Sequence, residues 1–265
     1  MNLQGKKILV TGGGGTGVGK GICDVLSSYN ATLIINERKF VDAKLAAKNY
    51  PGAIPVAGDI GIIKSVNEMF RVIRDKAGVL DGLVNNAGVG LSKPAHEATD
   101  EEFDRLFNID IKGVWQVSKA FVKQLLNAQQ PGNIVNISSV HAHSSMSRYA
   151  LYSSVKSAVE GLTRGMAVEL GPFNIRVNAI GPGYVHSKQN YDLIRTWSDD
   201  PEKWVNDYIT DQQVLYRKIE PEDCGNVAAF LLSDLSRSVT GQIIYVDNGT
   251  TSMLYNQSLL NTRDR

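Results

Sequence analysis

The chain has 265 residues, 43% hydrophobic and 21% charged, a composition that suits one globular domain, 1–265, with a full buried core. A formal charge of +1, from 28 basic and 27 acidic side chains, supplies no net field to draw it to nucleic acid or a membrane surface. No apolar stretch approaches the roughly 18 residues of a membrane span, and Met1 to Val10 lacks the regions of a signal peptide. Cys23 and Cys224 have no disulfide or metal spacing, so the expectation is a cytoplasmic protein without a metal site.

Lys7 to Val10 is the first of seven short apolar runs that read as strands. It leads into Thr11-Gly12-Gly13-Gly14-Gly15-Thr16-Gly17-Val18-Gly19 and then a helix carrying Ile22, Val25 and Leu26. Glycine suits such a turn because the backbone bends sharply and approaches a pyrophosphate with no Cβ in the way, while the helix N-terminus offers unpaired N–H groups to the anion. Gly13, Thr16, Gly17, Val18 and Gly19 are therefore expected to bind a dinucleotide. The second run, Thr32 to Ile35, leads to Glu37, close to the roughly 20-residue offset of an acid that grips the adenosine ribose hydroxyls. That favours NAD; the neighbouring Arg38 leaves NADP open.

Ala53 to Val56 and Gly82 to Val84 are the third and fourth runs, with helical spacing of Val66, Phe70, Ile73 and Ala77 between them. Trp115, Phe121 and Leu125 share a helix face suited to the core or to a subunit partner. The fifth strand, Ile134 to Ile137, ends at Ser138-Ser139. His141 and His143 follow as polar pocket or surface residues, and Tyr149 as a pocket wall or surface aromatic. A long helix then holds Tyr152 and Lys156, four residues apart and so on one face, where the ammonium can sit beside the phenol. Tyr152 can act as general base for alcohol oxidation or acid for ketone reduction, with Ser139 donating to the developing oxyanion. Ile175 to Ile180 and Ile243 to Val246 complete the strands. Between them, 187–218 breaks the rhythm with Trp197, Trp204 and mixed charges, and reads as a small helical lid of one or two helices near His186. Alternating strands and helices predict an α/β fold with a doubly wound, mostly parallel seven-stranded sheet.

With these motifs in this order and spacing, the chain resembles the short-chain dehydrogenase/reductase family from about Leu3 to Gly249. Asn85-Asn86-Ala87-Gly88, Asp59-Ile60, Pro182-Gly183-Tyr184-Val185-His186-Ser187, Arg176-Val177-Asn178-Ala179 and Thr240-Gly241-Gln242 through Val246-Asp247 are similar to family landmarks. The resemblance implies hydride transfer between a nicotinamide and a carbinol or carbonyl carbon in a homotetramer. It also implies cofactor contacts at Asp59, Ile60, Asn86, Ala87, Gly88, Pro182, Gly183, Val185 and Ser187, and at Tyr152 and Lys156, with Lys156 holding the nicotinamide ribose. Two departures stand out. Gly12 takes the place of the family's threonine in the turn, which carries one extra glycine, and Asp110 replaces the asparagine of the proton relay. Asp110 is expected to take over that relay, the other reading being a structural substitution that weakens it. The expected substrate is a small polar secondary alcohol or ketone: a sugar, polyol or hydroxy acid. The alternatives are an NADPH-dependent 3-oxoacyl thioester reductase and a catalytically silent dinucleotide sensor.

Overall fold

The structure, a computed structural model, describes residues 1–255; the sequence from Ser252 to Arg265 reads as a polar tail, of which residues 256–265 lie outside the described residues. Among those described, seven strands form one sheet: β1 (Lys7–Thr11), β2 (Thr32–Glu37), β3 (Ile54–Ala57), β4 (Gly82–Asn85), β5 (Gly132–Ile137), β6 (Ile175–Pro182) and β7 (Ile243–Val246). The helices are α1 (Val18–Ser28), α2 (Phe40–Ala47), α3 (Ile63–Ala77), α4 (Asp100–Phe107), α5 (Val114–Ala128), α6 (Ala150–Leu170), α7 (Lys188–Ile194), α8 (Pro201–Gln212) and α9 (Pro221–Leu232).

The strand order is β3-β2-β1-β4-β5-β6-β7, and every pairing is parallel, so the sheet expected to be mostly parallel is wholly so. Its inner strands are buried on both faces because successive side chains point opposite ways into two cores, while the edge strands β3 and β7 are only partly buried. Ile8, Val10, Leu33 and Ile35 join α1 and α9 on one side; Leu9, Ile34, Leu83 and Ile134 join α3 and α5 on the other. Trp115, Phe121 and Leu125 divide accordingly: the last two lie in the core, while Trp115 is exposed beneath the Lys119 ammonium.

From β1 the chain steps to β2 and β3, then returns to lay β4 against the other side of β1. This reversal leaves a crevice at the carboxyl ends of the strands, where open α/β sheets bind their ligands. The glycine turn, Asn86-Ala87-Gly88, Ser138-Ser139 and the segment from Gly183 to Ser187 all follow those ends. Residues 187–218 hold two helices, α7 and α8, whose Ile194, Val205 and Ile209 form a small core of their own with Tyr184 and Trp204. Trp204 stacks on Tyr208 and meets the exposed Trp197. No helix among the described residues is long and apolar enough to cross a membrane.

Candidate active site

The glycine turn corrects one sequence assignment. Thr11, at the end of β1, donates its hydroxyl to the Val84 carbonyl at 3.3 Å and accepts from the Asn86 and Ala87 amides at 3.0 and 3.1 Å. Thr11, not the position of Gly12, thus supplies the hydroxyl that ties the turn to the segment after β4, and the extra residue falls between Gly12 and Gly17. Gly12 turns the chain at φ 65°, in the left-handed region that suits glycine, and its carbonyl accepts from the Asn86 side chain at 2.9 Å. A Cβ on Gly19 would lie 2.4 Å from that same carbonyl. Gly13 packs against Cys23, while Gly14 and Thr16 stand exposed. Helix α1 starts at Val18 with no side-chain cap on its N-terminus and no acid in its first turn. Its first amides are therefore left for an anion, which fits a dinucleotide pyrophosphate.

Around the turn, Glu37 reaches back to accept from the Gly14 amide at 2.8 Å. Burial pushes its carboxyl above the usual range, against the opposing effect of that hydrogen bond. Beyond β3, Asp59 accepts from the Gly61 amide, and buried Ile60 packs under Gly113 while its carbonyl accepts from Gln116. Gly183 follows Pro182 and pairs with the Val246 carbonyl; buried Val185 bridges to Ile219. Ser187 caps α7 and sits against Gly17, so the root of the 187–218 segment touches the glycine turn.

On the other side of the crevice, Tyr152 lies in the first turn of α6 and Lys156 one turn on, its ammonium 5.5 Å from the centre of the Tyr152 ring. Ser139 caps the turn after β5, accepting from the His141 amide at 3.3 Å. His141 stacks on Tyr149, their centroids 4.5 Å apart, and presents an edge to Tyr152 at 5.7 Å. The structure therefore gathers Ser139, His141, Tyr149, Tyr152 and Lys156 at one place. Burial lowers the His141 imidazole's pKa. His143 is exposed and meets the Tyr245 ring. His186 lies in the segment after β6, with Nε2 3.3 Å from the Lys218 ammonium.

Asp110 sits in a wide helical turn, Asn108–Gly113, between α4 and α5. Its side chain is fully buried; Oδ2 lies 3.0 Å from Lys156 Nζ, and Oδ1 accepts from the Val89 amide at 2.8 Å. Lys156 also donates to the Ile137 carbonyl at 3.3 Å. Burial works against the Lys156 ammonium, but the nearby Tyr152 and the Asp110 carboxylate outweigh it and raise its pKa. Asn108, two residues before Asp110, turns away and donates to the Gly61 carbonyl. Sequence reasoning missed a buried polar ladder beneath the site. Asn85 donates to Asn136 at 2.8 Å and to Ser118 at 2.9 Å, and Asn136 donates to Thr163 at 2.9 Å. An asparagine inside each of two apolar strands was the available signal.

A doubly wound parallel sheet, with a glycine turn at its crevice and a tyrosine–lysine pair on the helix after the fifth strand, defines a dinucleotide-binding oxidoreductase. Comparison with known proteins agrees. A family model described as Enoyl-(Acyl carrier protein) reductase matches residues 13–251. The chain is 36% identical to Carbonyl reductase [NADPH] 2 of Sus scrofa, over 94% of this chain and 98% of that one. It is also 36% identical to L-xylulose reductase of Homo sapiens, over 93% and 97%. The crystal structure of 3-ketoacyl-(acyl-carrier-protein) reductase from Brucella melitensis complexed with NADH superposes with a TM-score of 0.84 at 30% identity, covering 94% of this chain and all of that one. The chain belongs to the short-chain dehydrogenase/reductase family.

Proposed function

We propose that this enzyme interconverts a small polar secondary alcohol and its ketone, of the sugar, polyol or hydroxy acid class, with Tyr152 as general acid–base. The gathering of Tyr152, Lys156, Ser139 and Asp110 beside a dinucleotide crevice carries this reading. A bound nicotinamide dinucleotide supplies or accepts the hydride. In reduction, the Tyr152 hydroxyl gives its proton to the substrate oxygen while Ser139 donates a hydrogen bond to it. Lys156 holds the nicotinamide ribose and returns a proton to Tyr152, and Asp110 anchors the relay behind it. Residues 187–218 form the substrate lid. Its polar margin of His186, Lys188, Arg195 and Arg217 supports a hydroxylated substrate, as does the likeness to a relative named for L-xylulose reduction. The assembly is a cytoplasmic homotetramer, a reading supported by family resemblance and by cysteines left free.

The cofactor is NAD rather than NADP. The Glu37 carboxylate at the turn repels a 2′-phosphate, and this sets the chain apart from the pig relative whose name carries NADPH. Screening purified enzyme against polyols, sugars, hydroxy acids, secondary alcohols and a 3-oxoacyl thioester, with NAD(H) and NADP(H), tests substrate and cofactor together. Turnover of the thioester alone would replace this reading with an acyl-chain reductase. Tyr152→Phe should lower kcat by about 10²–10⁴-fold with cofactor binding intact, and near-normal turnover would refute the mechanism. Glu37→Ser should raise the NADP-to-NAD ratio of kcat/KM by about tenfold or more, as removal of a like charge requires.

A further inference from the structure

We propose that Asp110 cancels the charge of Lys156, so that Tyr152 is kept as a proton donor and the reduction-competent form of the enzyme predominates near neutral pH. The inference rests on the function proposed above and concerns the same site. A lysine beside a phenol ordinarily favours the ionised phenol, because the ammonium attracts the phenolate. Here the ammonium is already answered: Lys156 Nζ lies 3.0 Å from Asp110 Oδ2, with side-chain exposures of 9% and 0%. The carboxylate is closed off from bulk solvent. Its Oδ1 takes the Val89 amide at 2.8 Å, and Gly88 crosses so near that a Cβ there would be 2.8 Å from Oδ2. Charges this close and this buried largely offset one another, which weakens the pull of the ammonium on the phenol ring 5.5 Å from it.

The other groups facing Tyr152 do not restore the missing positive charge. From the turn after β5, His141 stands 5.7 Å away, and burial lowers its pKa and so favours the neutral ring. From the start of α6, Tyr149 stands at 6.0 Å and is itself a phenol. Lys156 is thus the cation beside the phenol, and Asp110 is its counter-ion. In reduction Tyr152 starts as the phenol, so the neutral pair keeps the competent form populated to higher pH; the O–H bond breaks as the substrate oxygen takes the proton, and the proton is afterwards restored to Tyr152 from the Lys156 ammonium. In oxidation the phenolate must exist beforehand, and a neutral pair gives it little support. Asp110 is therefore a positioning residue that sets, through Lys156, the pH range over which each direction runs.

Titrating tyrosinate absorbance in the full-length protein reads this without turnover. The Tyr152 step is obtained as wild type minus Tyr152→Phe, and again in the Asp110→Asn background. The step should fall by about one pH unit or more in Asp110→Asn, since a single nearby charge is worth that much. Asp110→Ser, with a smaller uncharged side chain, should move it the same way. A step that stays in place or rises in both variants overturns the proposal. Kinetics supply the second arm, using the alcohol–ketone pair turned over best by wild type. The acid limb of the oxidation profile and the alkaline limb of the reduction profile should both move down in Asp110→Asn. A uniform drop in kcat with unmoved limbs also overturns it, leaving Asp110 a relay anchor only. Absence of wild-type turnover on every alcohol and ketone would instead defeat the proposed function, and the absorbance titration would still decide whether Asp110 cancels Lys156.

Discussion

Thr11 shows how much one hydroxyl can organise. Oγ1 meets the Val84 carbonyl and the Asn86 and Ala87 amides, joining the glycine turn to the loop across the crevice. Thr11→Val leaves those backbone groups to find other partners or go unpaired in a buried place, at about 1–3 kcal/mol. Urea denaturation should register that loss, and cofactor titration should register weaker binding, with Thr11→Ser recovering most of both. The sequence concealed this role because the extra residue after Gly12 displaced the family spacing, and a count of glycines cannot say where an insertion falls. By contrast, Tyr152 and Lys156 were legible from their interval, since four residues on a helix leave two side chains on one face whatever surrounds them.

At the level of elements, α6 is held against the sheet by a buried carboxylate that sequence reading passed over. Glu160, one turn beyond Lys156, accepts from the Ser138 hydroxyl at 3.0 Å and the Tyr245 hydroxyl at 2.9 Å, so β5, α6 and β7 meet on one side chain. Burial first, then the bond to Glu160, raises the pKa of the Tyr245 phenol. Glu160→Ala leaves two hydroxyls without their acceptor and should cost about 2–4 kcal/mol in chemical denaturation, against about 1 kcal/mol for Tyr245→Phe. Because Ser138 precedes Ser139, Glu160→Ala should also lower kcat more than it changes KM for the cofactor. The helical turn holding Asp110 was equally hidden. Its residues alternate in no recognisable period, and its shape follows from packing between α4, α5 and the loop after β4.

For the whole molecule, the two cysteines mark how completely the α1 and α9 side is closed. Burial pushes the Cys23 and Cys224 thiols up from 9.0 to about 12, so folding favours their protonated form. A group whose value is raised on folding contributes stability that is fully present below its unfolded value and lost as pH rises through the folded one. The melting temperature should therefore fall as pH climbs from about 9 to about 12, and Cys23→Ala/Cys224→Ala should flatten that slope. Neither thiol should react with a disulfide reagent in the native protein at pH near 8, and both should react in denaturant. A native thiol that reacts at the rate of an exposed one would contradict the packing.

The sequence by itself determined the alternation of strands and helices, the glycine turn between the first strand and first helix, and the kind of chemistry. These depend on local pattern: apolar runs too continuous for a half-exposed sheet, glycine where a backbone must bend, and a fixed interval on a helix. Tertiary structure alone decided which residue of the turn carries the threonine's bonds, and that the strands are all parallel. It also decided that Asp110 and Lys156, far apart along the chain, form a buried ion pair. Whether a lysine beside a tyrosine acts as a charge or as half of a neutral pair depends on a carboxylate brought from another element, and only the packed molecule fixes that distance.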